Sequence, residues 1–322
     1  KYDHRPGGDM RKRIRTHQAR LGMYVEEVES RRDDKTYKEG FLIASPEELA
    51  DIHNSKIISL VINTKNGGDL AADETAASHE TALLSRFSSN EIHAAKAIIK
   101  ETKPVIRHLF SEARLSGLPD LDSAHLVADH IVETAQDSVV AIIGVSRLKS
   151  RDESTYLHSL AVSALMVSFG RSLGLPDETI RALSVGGLLH DIGKMAVPVE
   201  ILSSARKLSV RELAIIKAHP VRGHQMLRQF DELPPLVLDV CLHHHERYDG
   251  AGYPAGLEGE RIPFAARLAA ICDVYEAMTT IRPYKRAWSS AQTIELMLQA
   301  HGQFDPALLR RFVSMILSGE TV

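Results

Sequence analysis

The chain has 322 residues, 44% of them hydrophobic and 25% charged, enough for about two domains and a sizeable buried core. A net charge of −3 excludes bulk attraction to a DNA or RNA polymer, so an anionic ligand has to be drawn by local lysines and arginines. The only cysteines, Cys241 and Cys272, stand in apolar runs and exclude a disulfide framework; with no apolar run near the ~20 residues of a membrane span and no signal-peptide pattern, a cytoplasmic protein is expected.

Residues 1–10 read as a disordered lead-in. The stretch RIRTHQARLGMYVEEVE predicts two short strands about Leu21-Gly22. Ser45-Pro46-Glu47-Glu48 has the form of a helix start, with Ser as N-cap, Pro in the first position and Glu at the third. The apolar LVIN that follows predicts a strand closed by Asn66-Gly67-Gly68. Residues 11–66 therefore form a small α+β module, with no chemical motif and a regulatory or interaction role. An Ala-, Ser- and Thr-rich linker covers 69–86, and the whole of 67–123 is assigned to linker and connecting helix. From Asn90 the pattern is helical to the end. It is punctuated at Gly117-Leu118-Pro119, Gly174-Leu175-Pro176, Leu233-Pro234-Pro235 and Ile281-Arg282-Pro283. Ser209 and Glu212 predict a capping box, and Asp305-Pro306 starts the last helix. The fold class is α+β overall: a small N-terminal module, then an all-α domain over 124–322.

Chemistry concentrates in the helical part. His158 lies on an amphipathic helix, His190-Asp191 ends the apolar run VGGLLHDIGK, and His219 closes ELAIIKAHP. His244-His245 falls in HHHERYDGAGYP, and Asp273 in AARLAAICDVYEAM. Successive members stand about 25–32 residues apart, roughly a helix plus a connection, so each helix would point one ligand group into a common cavity. A single histidine on a helix is more often packed than metal-bound, but the joint pattern argues for metal. Imidazole with carboxylate suits Zn, Mn or Fe. Seven ligands exceed the four of a structural zinc site and fit two ions sharing a carboxylate. Asp191 is the natural bridge, since His190 beside it holds one ion while its own two oxygens reach both.

His190-Asp191-Ile192-Gly193-Lys194, His244-His245-Glu246 and Asp249-Gly250-Ala251-Gly252-Tyr253-Pro254 together resemble the HD-GYP family of cyclic di-GMP phosphodiesterases. LLHDIGKMAVPVEIL, His219-Pro220, GLEGERIP and Arg282-Pro283-Tyr284-Lys285 extend the likeness over roughly residues 124–314. The 11–66 module resembles the small N-terminal domain that often precedes such domains, through Leu21-Gly22-Met23 and Val61-Ile62-Asn63-Thr64. The resemblance implies metal ligands at His158, His190, Asp191, His219, His244, His245 and Asp273, with Asp191 and Lys194 as the catalytic pair. It implies two divalent ions, Fe or Mn foremost, with Zn, Mg, Ni or Co as alternatives. Lys194 would reach the scissile phosphate from the face it shares with Asp191 at i+3. Gly250 and Gly252 would allow close approach of substrate to backbone. Tyr253 would stack on guanine or bond a phosphate oxygen, and Arg282 and Lys285 would clamp the phosphates.

Two departures from the family stand out. Where some members place a third metal-binding Glu, this chain has Ser154, with Glu153 a step away and about 140° round the helix, which favours two ions. Glu276 replaces the Asp of the usual DVYDA; one turn from Asp273, it either supports a ligand or is structural, and the structural role is preferred. His243 is taken as incidental, and Glu246 and Asp249 as supports of the loop. The implied reaction is hydrolysis of cyclic di-GMP to linear pGpG, with the end product, pGpG or GMP, left open. A catalytically weak module that senses the dinucleotide or contacts proteins is the alternative, and a different cyclic dinucleotide a third reading. Signalling-protein partners and a homodimer are expected companions.

Overall fold

The computed structural model describes residues 11–15, 19–30, 40–54, 57–68, 89–146, 154–204, 206, 208–280 and 289–319. The predicted lead-in at 1–10 and the linker at 69–86 lie outside them. The chain divides into two units, an N-terminal one and a helical one.

In the N-terminal unit, β1 (Arg11–Arg15), β2 (Tyr24–Ser30), β3 (Phe41–Leu42) and β4 (Ile57–Asn63) make an antiparallel sheet in the order β1-β4-β2-β3. Strand β4 is flanked on both sides, which suits its apolar run IISLVIN. Helix α1 (Pro46–Asn54) starts as its sequence predicts. Glu48 N donates to Ser45 Oγ at 3.2 Å, and Glu48 Oε2 accepts from Ser45 N at 3.2 Å. A small core of Ile14, Met23, Val25, Ile43, Ile52, Leu60 and Ile62 binds helix to sheet.

The helical unit begins with α2 (Ser89–Ser116) and α3 (Leu121–Ser146), joined where Gly117 takes a φ of 82°. Helix α4 (Ser154–Ser172) is buried on nearly all sides from Leu157 to Phe169, so it is not the amphipathic helix expected around His158: small and apolar residues occupy its whole circumference. Helix α5 (Asp177–Leu189) lies so close that a Cβ on Gly187 would stand 2.7 Å from Ser163 Cα. Ser163 Oγ seals the contact by donating to Ser184 O at 2.8 Å.

After α5 the chain makes a 3-10 turn over Ile192–Ala196, then the short α6 (Val199–Leu202). Helix α7 (Val210–Lys217) opens with the predicted Ser209–Glu212 capping box. Helix α8 runs over His219–Leu227. His219 therefore opens a helix and does not close the previous one, because Pro220, having no N–H to satisfy, fits a first helical turn. Helices α9 (Pro235–His243), α10 (Phe264–Thr279), α11 (Ser290–Gln299) and α12 (Pro306–Gly319) complete the unit. Asp305 caps α12, its Oδ1 accepting from Ala307 N at 2.8 Å and Leu308 N at 3.1 Å. Cys241 and Cys272 are buried and free. Among the described residues, no helix is long and apolar enough to cross a membrane.

Candidate metal centre

Five helices and one turn bring the predicted ligands together. His158 projects from α4, while His190 caps the end of α5 and Asp191 leads into the 3-10 turn. His219 opens α8, His244 and His245 follow α9, and Asp273 lies within α10. Their ligand atoms form two groups, each within 4.8 Å: His158, His190 and Asp273 on one side, Asp191, His219, His244 and His245 on the other.

Asp191 joins the two groups. Its Oδ2 lies 3.3 Å from His190 Nε2 and 3.7 Å from His158 Nε2. Its Oδ1 lies 3.1 Å from His219 Nε2 and 3.7 Å from His244 Nε2. His158 Nε2 is also 3.1 Å from Asp273 Oδ1. The approach depends on Gly193, because a Cβ there would stand 2.0 Å from His219 O and 2.5 Å from Gly223 N. Only a glycine lets the turn carrying Asp191 settle on the start of α8.

The outward nitrogens decide what the inward ones can do. His190 Nδ1 donates to Gly187 O at 2.7 Å, and His219 Nδ1 to Ile216 O at 2.8 Å. His244 Nδ1 is shared between Val240 O and Cys241 O, both at 3.1 Å. A neutral imidazole with its proton on Nδ1 presents a lone pair at Nε2. Those lone pairs face the oxygens of Asp191, and His219 and His244 face each other at 3.3 Å. Acceptor against acceptor is repulsive unless a cation stands between. His190 Nε2 and Asp191 Oδ1 are buried without a directed hydrogen bond, which is what metal ligands look like before an ion is added. The donor set fits a divalent metal.

Electrostatics agree. Burial holds His244 well below the usual histidine range, helped by neighbouring His245 and His190, and pushes His245 down to about 4. Both stay neutral and able to ligate. Burial opposes ionisation of Asp191, but the Lys194 ammonium beside it outweighs burial and holds the carboxyl well below its ordinary value. Asp273 is held down likewise by His158 against its burial.

Lys194 falls in the 3-10 turn, where residues three apart eclipse, and its Nζ contacts Asp191 Oδ2. The loop after His245 is built around Glu246, which is buried and accepts from Ala255 N at 2.7 Å and Leu257 N at 3.1 Å. Asp249 pairs with Arg247 at 2.6 Å and caps Ala251 N at 3.0 Å. Tyr253 stacks on His245, centroids 4.8 Å apart and planes at 29°, with Lys217 Nζ 5.1 Å from its ring. A Cβ on Gly252 would meet Arg247 N at 2.3 Å, so packing inside the loop accounts for this glycine without any ligand. His243 belongs to neither ligand group and lies 3.7 Å from Glu246. Arg282 and Lys285 lie outside the described residues, as does Glu153.

Glu276, for which the sequence prefers a structural role over support of a ligand, places Oε2 2.5 Å from His158 Nδ1 and accepts Thr280 Oγ1 on Oε1 at 2.6 Å. Its i+3 spacing from Asp273 was the only signal, and it cannot reveal a contact with a histidine 118 positions away.

A helical unit whose His-Asp pair and further histidines converge on one carboxylate is of the HD class. The sequence model of the HD domain matches residues 130–308, and a domain of unknown function matches 11–124. The chain is 39% identical over 319 residues to cyclic di-GMP phosphodiesterase PA4108 of Pseudomonas aeruginosa, covering 95% of this chain and 77% of that protein. It is 34% identical over 191 residues to the cyclic di-GMP phosphodiesterase response regulator RpfG of Xanthomonas campestris pv. campestris, covering 56% and 49%. Among solved structures, Bd1817, an HDG"Y"P protein from Bdellovibrio bacteriovorus, matches with a TM-score of 0.56 at 19% identity, over 95% of this chain and 99% of that one, a likeness of fold. This chain belongs to the HD domain family, in its HD-GYP form with the small N-terminal domain ahead of it.

Proposed function

We propose that the chain is a metal-dependent phosphodiesterase that hydrolyses cyclic di-GMP to pGpG and then GMP. The observation behind this reading is Asp191, with one oxygen toward each group of histidines. The 39% identity to an enzyme named for that substrate points the same way. Two divalent ions, Fe or Mn foremost, would supply an acidified water and a clamp on the phosphate. One set would be His158, His190 and Asp273, the other His219, His244 and His245, with Asp191 shared. Water adds to phosphorus, the ester P–O bond breaks, and the leaving ribose oxygen takes up a proton. Lys194 sits where its ammonium can neutralise charge growing on the phosphoryl oxygens. Tyr253, with its ring against His245, holds that imidazole and offers its hydroxyl to a phosphate oxygen. Backbone at Gly252 and the side chains of Arg282 and Lys285 complete the substrate side of the proposal. A cytoplasmic setting, a homodimer and signalling partners acting through residues 11–66 go with this reading.

The test is metal analysis of the purified chain, then incubation with cyclic di-GMP and Mn(II) or Fe(II) and chromatography of products. The expected products are pGpG and GMP, and Asp191→Asn removes both metal and turnover. A protein that holds two ions yet cleaves neither this nor another cyclic dinucleotide would be a binding module instead.

A further inference from the structure

We infer that Glu276 is a positioning residue that sets the metal affinity of the His158 side of the centre. The inference rests on the two-ion reading above. Three of the site histidines give their outward N–H to a backbone carbonyl: His190 to Gly187, His219 to Ile216, and His244 to Val240 and Cys241. His158 differs, its Nδ1 meeting the Glu276 carboxylate at 2.5 Å. Glu276 is 1% exposed, and Thr280 Oγ1 holds its other oxygen at 2.6 Å, so the carboxylate cannot swing away from the imidazole.

A carboxylate in that position fixes the tautomer, turns Nε2 toward Asp191 and Asp273, and raises the basicity of the ligand nitrogen. It also makes the two halves unequal. The His158 side has Asp273 and, through the imidazole, the charge of Glu276. The other side has three histidines and only its share of Asp191. The ion on the His158 side therefore binds first and more tightly. Because Asp273 and Glu276 occupy adjacent turns of α10, one helix supplies both the ligand and the support of its neighbour.

The test is titration of metal-depleted protein with Mn(II), following free ion by electron paramagnetic resonance, for wild type, Glu276→Gln and Thr280→Val. Wild type is expected to bind two ions with unequal constants. Glu276→Gln weakens the tighter one by about 10–100-fold and leaves the other unchanged, and Thr280→Val gives a smaller loss at the same site. In a His219→Ala background the remaining ion still responds to Glu276→Gln; in a His190→Ala background it does not. Wild-type constants in both variants, or equal loss of both ions, would overturn the inference. Should Glu276→Gln fail to fold, Thr280→Val decides alone: selective weakening supports the role and an unchanged pair of constants ends it. A wild type that binds fewer than two ions would instead overturn the two-ion reading.

Discussion

At Asp191 burial and charge oppose each other, and the chain resolves the conflict with cations around a carboxylate that is 1% exposed. Lys194 is the resident one, and its replacement separates binding from chemistry. Lys194→Ala should leave two ions bound and lower kcat by about 10²–10³, read from metal analysis beside steady-state kinetics; loss of metal instead would make Lys194 a scaffold residue. His158 sets the response to pH. Burial disfavours its charge, but Glu276 and Asp273 outweigh burial and raise it from the ordinary 6.5 to about 9. In metal-depleted protein that stabilisation is complete below pH 6.5 and lost as pH climbs through about 9. The Tm of chelator-treated protein should therefore decline across this interval while Mn(II) affinity rises, since the ion must displace the proton. An affinity that stays flat from pH 6.5 to 9 would contradict the assignment of His158.

On the scale of elements, the site exists because helices approach more closely than ordinary side chains permit. Gly187 seats α5 on α4, and Gly193 seats the 3-10 turn on the first residues of α8. A methyl group at Gly193 would overlap backbone at His219 O, which has no rotamer by which to yield. Gly193→Ala should cost about 1–3 kcal/mol in urea unfolding and weaken the ion held by the His219 group; unaltered stability and metal content would show that the turn can retreat without consequence. Helix starts were legible because capping is local: Ser45–Glu48, Ser209–Glu212 and Asp305 all behave as their sequences say. The sequence puts His219 at the wrong end of a helix because one residue, Ala218, separates α7 from α8. So short a break leaves no gap in the apolar period.

For the molecule as a whole, metal held at this centre would be a thermodynamic part of the fold. The candidate ligands come from α4, α5, α8, α9 and α10 and their ends, so a bound metal would tie together most of the helical unit. Free metal at a thousand times its dissociation constant adds about 4 kcal/mol per site, on the order of 10 °C in Tm for a unit of this size. Calorimetry with and without chelator should show a downward shift of that order, and coincident curves would remove metal from the centre.

The sequence by itself determined the helical class, the separate N-terminal module and the residue types of the centre, because periodicity, caps and the HD and GYP motifs are local patterns. Tertiary structure alone decided which Asp191 oxygen faces which histidine, the outward partners of His158, His190, His219 and His244, the stacking of Tyr253 on His245 and the place of Glu276. These depend on atoms many helices apart meeting within about 3 Å, and such distances follow from packing, which no local pattern records.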